Sequence, residues 1–473
     1  MTSTKSNFPR RIYPLDPREM SAEELAVVFA MTSRRPEPFD EIKELVTAEK
    51  AADFHERWVL GYGHASVAEH AVLHIAVENI SRLACDALED NRLASYTEKS
   101  SRYQVLEPGA YHIPNELTGI DNLYSEFVQC CDQLFAVYQL LIEKTIDYLS
   151  TIHPRKPHER DTSYSLRLRR EATDSCRFVL PAATLTNVGV TINARSLEHA
   201  IRKLLSSDLD EERQIGDSLK QQAQTITPTL IRHADSNEYL TTTREALKLA
   251  TNSTIQSQKH MDSNFNESEI SAKLISYDKD AQTNLIATLM FGKTNQPYDD
   301  VWKIANALSP EGQGGIIAAA LENLGPHDAT LRELEMVEYT FEFSMDYGAY
   351  REFKRHRLQT YIPQSLGVDQ GFVIPQLIEA SGLSALYVKA METVGKTHKQ
   401  IAEISPRLAE YLVTHAHLRR LLTKINLREC YHLFKLRTQP QAHFTIRQAA
   451  EQALVQIAEV HPLLVKYIYL RKD

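Results

Sequence analysis

At 473 residues the chain is too long for one small module and, at roughly 100 to 200 residues per domain, divides into two or three. Hydrophobic residues make up 43% and charged residues 24%, with 16 Gly and 19 Pro, a globular composition that excludes a disordered or fibrous chain. The net charge of −9 removes any general attraction to nucleic acid or acidic lipid, so an anionic ligand has to be held by local arginine clusters.

In chain order, the N-terminus M-T-S-T-K-S-N-F-P-R-R has no apolar stretch behind its basic residues and does not read as a secretory signal. No apolar run approaches the ~18 residues of a membrane span, so a cytoplasmic protein is expected. Residues 72–78, V-L-H-I-A-V-E, alternate with strand period. Residues 118–150 place Leu123, Phe127, Leu134, Val137, Leu141 and Ile146 at helical spacing and predict one long amphipathic helix. The polar stretch 151–163 predicts an exposed loop joining long helices, and 196–222 returns to helical spacing. Residues 236–270, rich in Ser, Thr and Asn with a short helical pattern at Thr243 to Leu249, read as a linker with a turn or two of helix. Beyond it, 339–344 has strand period and 429–460 reads as helix. The fold class expected is α+β, a small sheet covered by long helices, built twice.

The doubling rests on an internal repeat. M-T-S-R-R-P-E-P-F-D-E-I at 31–42 aligns without gaps with M-F-G-K-T-N-Q-P-Y-D-D-V at 290–301. Gly63-His64 is answered by Gly325 and His327, Arg92 by Arg357, and I-N-A-R at 192–195 by I-N-L-R at 425–428. The expected organisation is a first copy at 8–235, a linker at 236–270 and a second copy at 271–473.

Five cysteines, Cys85, Cys130, Cys131, Cys176 and Cys430, form an odd set without a C-x-x-C pair; this predicts free buried thiols and argues against a disulfide framework or a zinc site. The run Y-R-E-F-K-R-H-R at 350–357 is dense in cations for so acidic a chain. On a helix Arg351 and Arg355 lie one turn apart, as do Lys354 and Arg357, and guanidinium offers paired donors to phosphate. A solvated helix end with cations complementing the helix dipole fits the run equally well. The first copy answers with D-N-R-L-A-S-Y-T-E-K-S-S-R-Y at 90–103, where hydroxyls, turn amides and Arg102 fit a phosphate nest or a plain surface turn.

Taken together these residues resemble the flavin-dependent thymidylate synthases. The first copy carries H-A-S-V-A-E-H at 64–70, S-Y-T-E-K-S-S-R-Y at 95–103, R-F-V-L-P at 177–181 and N-A-R-S-L at 193–197. The second carries R-H-R-L-Q-T at 355–360, N-L-R at 426–428, and L-R at 436–437 ahead of A-H-F-T-I at 442–446. Each copy lacks what the other keeps. Asp90 and Asn91 stand at the Arg-His positions of the first copy, whose late arginine is missing at 204–208. The second copy has no E-x-S-x-R-Y after Thr360, and Glu410 stands where an arginine precedes V-L-P. Glu352 occupies a family Gln position, while His443 and Thr445 replace the Gln and Glu of A-Q-x-E-I.

The resemblance implies FAD as cofactor, with NADPH and methylenetetrahydrofolate as co-substrates, and conversion of dUMP to dTMP. Arg355, His356 and Arg357 would contact flavin beside Asn426, Arg428 and His432, and His64, Ser66 and Glu69 would reach a cofactor shared between copies or chains. Glu98, Lys99, Ser100, Ser101, Arg102 and Arg177 would hold the nucleotide, joined by Arg355 and Arg437. Arg437 is the expected catalytic residue, stabilising negative charge as the pyrimidine N3 ionises. Asn193 and Arg195 read either as parts of a vestigial site or as packing. Because the family resembles a homotetramer with sites between subunits, a homodimer forming a pseudo-tetramer is expected, with a small-molecule nucleotide as ligand, no metal, no nucleic acid and no membrane. A C5-modifying flavoenzyme on another uridine nucleotide and an inactive nucleotide-binding paralogue are the alternatives.

Overall fold

The computed structural model describes residues 10–257 and 269–470. The N-terminal segment 1–9, the linker stretch 258–268 and residues 471–473 lie outside the described residues. No described helix is long and apolar enough to cross a membrane. The described residues form two compact units that interleave along the sequence: residues 10–99 with 185–257, and residues 100–184 with 269–470.

In the first unit, β1 (Val72–Ser81), β2 (Ala94–Glu98) and β3 (Leu185–Asn193) form an antiparallel sheet in the order β1-β3-β2. Val188, Val190 and Ile192 on the central strand are buried on one face, alternating with Asn187, Gly189 and Thr191, as strand period requires. They pack with Leu73 and with Leu197, Ala200, Ile201 and Leu204 of the helix Ala194–Leu205. The β1–β3 register shifts between Val77 and Ile80, where Asn79 takes φ 56.

In the second unit, β4 (Ser271–Tyr277), β5 (Glu338–Asp346), β6 (Gln359–Pro363) and β7 (Leu418–Asn426) form an antiparallel sheet in the order β4-β5-β7-β6. Tyr339, Phe341 and Phe343 alternate into its core. The helices Asp121–Ile152 and Asp161–Cys176 belong to this unit, so the long amphipathic helix and the loop after it fall where the spacing put them. Residues 178–183 pair with their counterparts from the second copy: Ala182 N–H donates to Val413 O at 2.8 Å and His415 N–H to Leu180 O at 3.0 Å.

Several elements differ from the sequence reading. The helix expected over 196–222 is two, Ala194–Leu205 and Asp210–Gln224. At the break the Ser206 hydroxyl donates to Arg202 O and accepts from Asn237 N–H, both at 2.7 Å, offering the backbone an alternative to the helix. The helix expected over 429–460 is also two, Leu427–Arg437 and Phe444–Val460, with Pro440 in the gap. The helix within 236–270 is longer than a turn or two and runs Glu238–Ser257. The cationic run 350–357 is not one helix, since Tyr347–Phe353 ends before Arg355 and the last three cations lie on the approach to β6.

Both units repeat one device, which explains two of the landmarks. A strand ends in a side chain that caps the next helix: Ser81 accepts from Ala84 N–H at 2.9 Å and Asp346 from Ala349 N–H at 2.9 Å. At the end of the central strand Asn193 accepts from Ser196 N–H at 2.9 Å, and Asn426 from Glu429 N–H at 2.8 Å.

Candidate nucleotide and cofactor site

The second unit gathers residues of both sequence copies into one line of charges. Arg102 lies in the turn after Ser100 and Ser101, and its guanidinium meets the carboxylate of Asp174, Nε to Oδ1 at 3.0 Å and Nη2 to Oδ2 at 3.1 Å. Asp174 sits in the last turn of Asp161–Cys176, and Arg177, one turn on, approaches the same carboxylate, Nε to Oδ1 at 3.2 Å. Arg177 Nη1 also donates to the buried Ser101 hydroxyl at 3.4 Å. From there the line crosses to the second copy. Glu352 Oε1 is 3.8 Å from Arg177 Nη2, and Glu352 Oε2 is 3.0 Å from Arg437 Nη1.

Arg437 is the last residue of Leu427–Arg437 and is held on three sides. Beyond the carboxylate, Nη2 donates to Glu352 O and Nε to His356 Nε2, each at 3.0 Å. Because the arginine can only donate, His356 Nε2 must accept, so its proton is on Nδ1, which donates to Glu429 Oε1 at 2.8 Å. His356 is therefore a neutral imidazole, as burial also favours by lowering its pKa. His356, Glu429 and His432 bring three donor atoms near one another in the manner of a metal cluster, but both nitrogens of His356 are already engaged.

The electrostatics are those of buried, paired ions. Burial lowers the pKa of Arg177 and of Arg437. Burial opposes the charge of Asp174 as well, yet Arg177 and its cationic neighbours hold that carboxyl below its usual range. Burial and then Arg177 press His443 down to about 3, so it is neutral beside Asp174.

Next to this line lies a cavity of about 680 Å³, within the span of ligand pockets. Its walls bring together Arg355, His356, Arg357, Arg428, His432 and Lys435, facing the loop 324–330. The loop turns tightly because Gly325 N–H donates to Asp328 Oδ2 at 2.8 Å, and a Cβ at Gly325 would lie 2.9 Å from that oxygen. Arg428 is braced by Glu335 at 2.6 Å. A cationic wall around a volume of this size fits a large cofactor carrying phosphates, and on that chemistry the residues present fit a flavin dinucleotide.

Of the sequence-derived candidates, Ser100, Ser101, Arg102, Arg177, Arg355, His356, Arg357, Asn426, Arg428, His432 and Arg437 all belong to this second unit. Asn426 does not line the cavity and acts as a brace: its Oδ1 caps the helix and its Nδ2 donates to the carbonyl of Leu358, a lining residue, at 3.1 Å. His64, Ser66, Glu69, Glu98 and Lys99 belong to the first unit. There His64 and Ser66 are exposed after Gly63, which takes φ 79, and Glu69 pairs with Arg195 at 2.5 Å. Glu98 turns inward, its carboxylate 3.0 Å from Arg82 and accepting from Thr186 at 2.9 Å, while Lys99 is exposed. Asp174, Glu429 and Lys435 were not anticipated. The spacing of Asp174 three residues before Arg177 on a helix is the signal that would have found the first.

The thymidylate synthase complementing protein family profile matches the chain twice, over residues 18–229 and 273–463. A UPF0159 protein of Chlamydia muridarum is 31% identical over 428 residues, covering 89% of this chain and 81% of that protein. A UPF0159 protein of Thermoplasma acidophilum is 28% identical over 465 residues, 89% of each. A flavin-dependent thymidylate synthase of Thermococcus kodakarensis is 33% identical over 156 residues, 32% of this chain and 54% of that protein. A solved UMP/dUMP methylase of Streptomyces cacaoi aligns with 42% of the chain at 15% identity and a TM-score of 0.35, a likeness too slight to carry an argument.

Proposed function

From the premise that this chain belongs to the thymidylate synthase complementing protein family, as a tandem-duplicated and divergent member, we propose that it is an FAD-dependent thymidylate synthase converting dUMP to dTMP with methylenetetrahydrofolate and NADPH. The observation that carries the reading is the unbroken line from Arg102 through Asp174, Arg177 and Glu352 to Arg437 and His356, in which the arginines kept by one copy meet those kept by the other.

Arg102 and Arg177, with the Ser100 and Ser101 hydroxyls, would hold the nucleotide phosphate. Arg355, Arg357, Arg428 and Lys435 would hold the cofactor's phosphates in the cavity. A bound flavin supplies the redox chemistry by which the folate-borne methylene unit becomes a methyl group at C5. The chain's own task is orientation and charge. Arg437, largely buried and locked by Glu352 and His356, presents a fixed positive charge where negative charge develops on the pyrimidine. Such a preorganised donor is worth more there than in water.

The test is thymidylate formation by the purified chain with FAD, NADPH, methylenetetrahydrofolate and dUMP. Arg437→Ala lowers turnover by about 10²-fold or more, the scale of losing one such donor, with a much smaller change in dUMP affinity. Unchanged turnover removes Arg437 from the chemistry. A protein that neither binds flavin nor forms thymidylate sinks the proposal whole.

A further inference from the structure

The cations on the cavity wall account for a ligand's phosphates and leave its planar rings unaccounted for. Of the two tyrosines that line the cavity, Tyr431 is buried, and its hydroxyl donates to Leu464 O at 2.8 Å, which ties the C-terminal segment to the helix Leu427–Arg437. Tyr469 is the other, and it is 45% exposed. It does not sit on a loose end. The segment is anchored at the buried His461, whose Nδ1 meets the Tyr339 hydroxyl at 3.0 Å. It then turns after the short helix Pro462–Val465, where Ile468 N–H donates to Val465 O at 3.1 Å. An aromatic ring with accessible surface, placed on the wall of a cavity rich in cations, suits a ligand that is both planar and anionic.

We infer that Tyr469 is a further cofactor-binding residue, whose ring stacks against a planar heteroaromatic ring of the ligand held in the cavity. This rests on the flavin reading above, and it adds a contact outside the stretch matched by the family profile, which ends at residue 463. The division of labour is chemical. Arg355, Arg357, Arg428 and Lys435 recognise phosphate, which many ligands carry and which offers charge without shape. A tyrosine ring recognises a flat π-surface through offset stacking and buries apolar area as it does so. It also brings few rotatable bonds, so that little side-chain freedom is lost when the ligand covers it. FAD carries two flat rings, the isoalloxazine and the adenine, and its two halves, tested separately, identify the one that Tyr469 meets.

The experiment titrates the full-length apoprotein with FAD, FMN and ADP in wild type, Tyr469→Leu and Tyr469→Phe, following flavin fluorescence for the first two ligands and calorimetry for the third. Tyr469→Leu is expected to weaken FAD binding about tenfold, the scale of losing one stacked ring. Tyr469→Phe keeps the ring and is expected to bind FAD as wild type does, which separates stacking from the hydroxyl; thermal melts confirm that each variant is folded. A matching loss for FMN identifies the isoalloxazine as the stacked ring, and a matching loss for ADP identifies the adenine. If wild type binds FAD and folded Tyr469→Leu binds it equally well, or if Tyr469→Phe loses as much as Tyr469→Leu, the role of Tyr469 is overturned and the flavin reading stands. If FAD binds none of the folded proteins, both fall together.

Discussion

Asp346 ends β5, caps the helix Tyr347–Phe353 by accepting from Ala349 N–H, and is wholly buried. Burial pushes its carboxyl up to about 6, against the opposing pull of the Thr445 hydroxyl, the Ala349 amide and the Arg177 charge. A carboxyl with a raised folded-state pKa binds its proton more readily in the folded chain than in the unfolded one. Its contribution to stability is therefore complete below pH ~4 and is lost as pH rises through about 6. Asn is as good a helix cap as Asp and carries no charge. Asp346→Asn should therefore gain on wild type between pH 4 and pH 7 by up to ~3 kcal/mol, read from denaturant unfolding of both proteins at each pH. A constant difference across that range would mean the carboxylate is not strained by its burial.

The repeated junctions explain both what the sequence made legible and where it misled. I-N-A-R and I-N-L-R were readable as a duplicated landmark. Their meaning is architectural first, because each asparagine caps a helix at the end of a central strand and each arginine is braced by an acid, Arg195 by Glu69 and Arg428 by Glu335. Long helices with clean apolar spacing, such as Asp121–Ile152, could be read directly, since one face is buried along their length. The breaks at Ser206 and Pro440 were missed because apolar spacing continues across them, although Pro440 was a local signal. Apart from the i,i+3 spacing of Asp174 and Arg177, the partners of the site arginines were not readable. Asp174 meets Arg102 and Glu352 meets Arg177 only through contacts between distant stretches of chain. The same comparison of copies predicts cofactor stoichiometry. Asp90 stands where the second copy has Arg355, and Lys203 binds both its carboxylate at 3.0 Å and its carbonyl at 2.6 Å, so the first copy holds an acid in an internal ion pair where the second has a cation on the cavity wall. Saturated protein should hold one FAD per chain, counted by absorbance against protein concentration. Arg355→Ala should lose it and Asp90→Ala should keep it; two flavins per chain would show the first copy to retain a working site.

For the molecule as a whole, duplication poses a question about where a complete site is assembled. A homotetramer with sites between subunits, the arrangement the family resemblance implies, would become a homodimer of double-length chains here, and such a site could in principle draw its halves from one chain or from two. The compact unit of residues 100–184 with 269–470 argues for one, because Arg102 and Arg177 from the first copy and Arg437 and His356 from the second are joined there by contacts of 3.0 to 3.8 Å. The helices Asp121–Ile152 and Asp161–Cys176, which carry Asp174 up to Arg177, are part of that same unit. If the proposed site is complete within one chain, Arg102→Ala and Arg355→Ala each disable their own chain's site, and neither chain supplies the other's missing arginine. Co-expressing the two variants under different tags, and purifying the mixed assembly through both, should give no more thymidylate than either variant alone. Recovery of activity in the mixed assembly would mean that a site takes Arg102 from one chain and Arg355 from the next, as in a tetramer of undivided subunits.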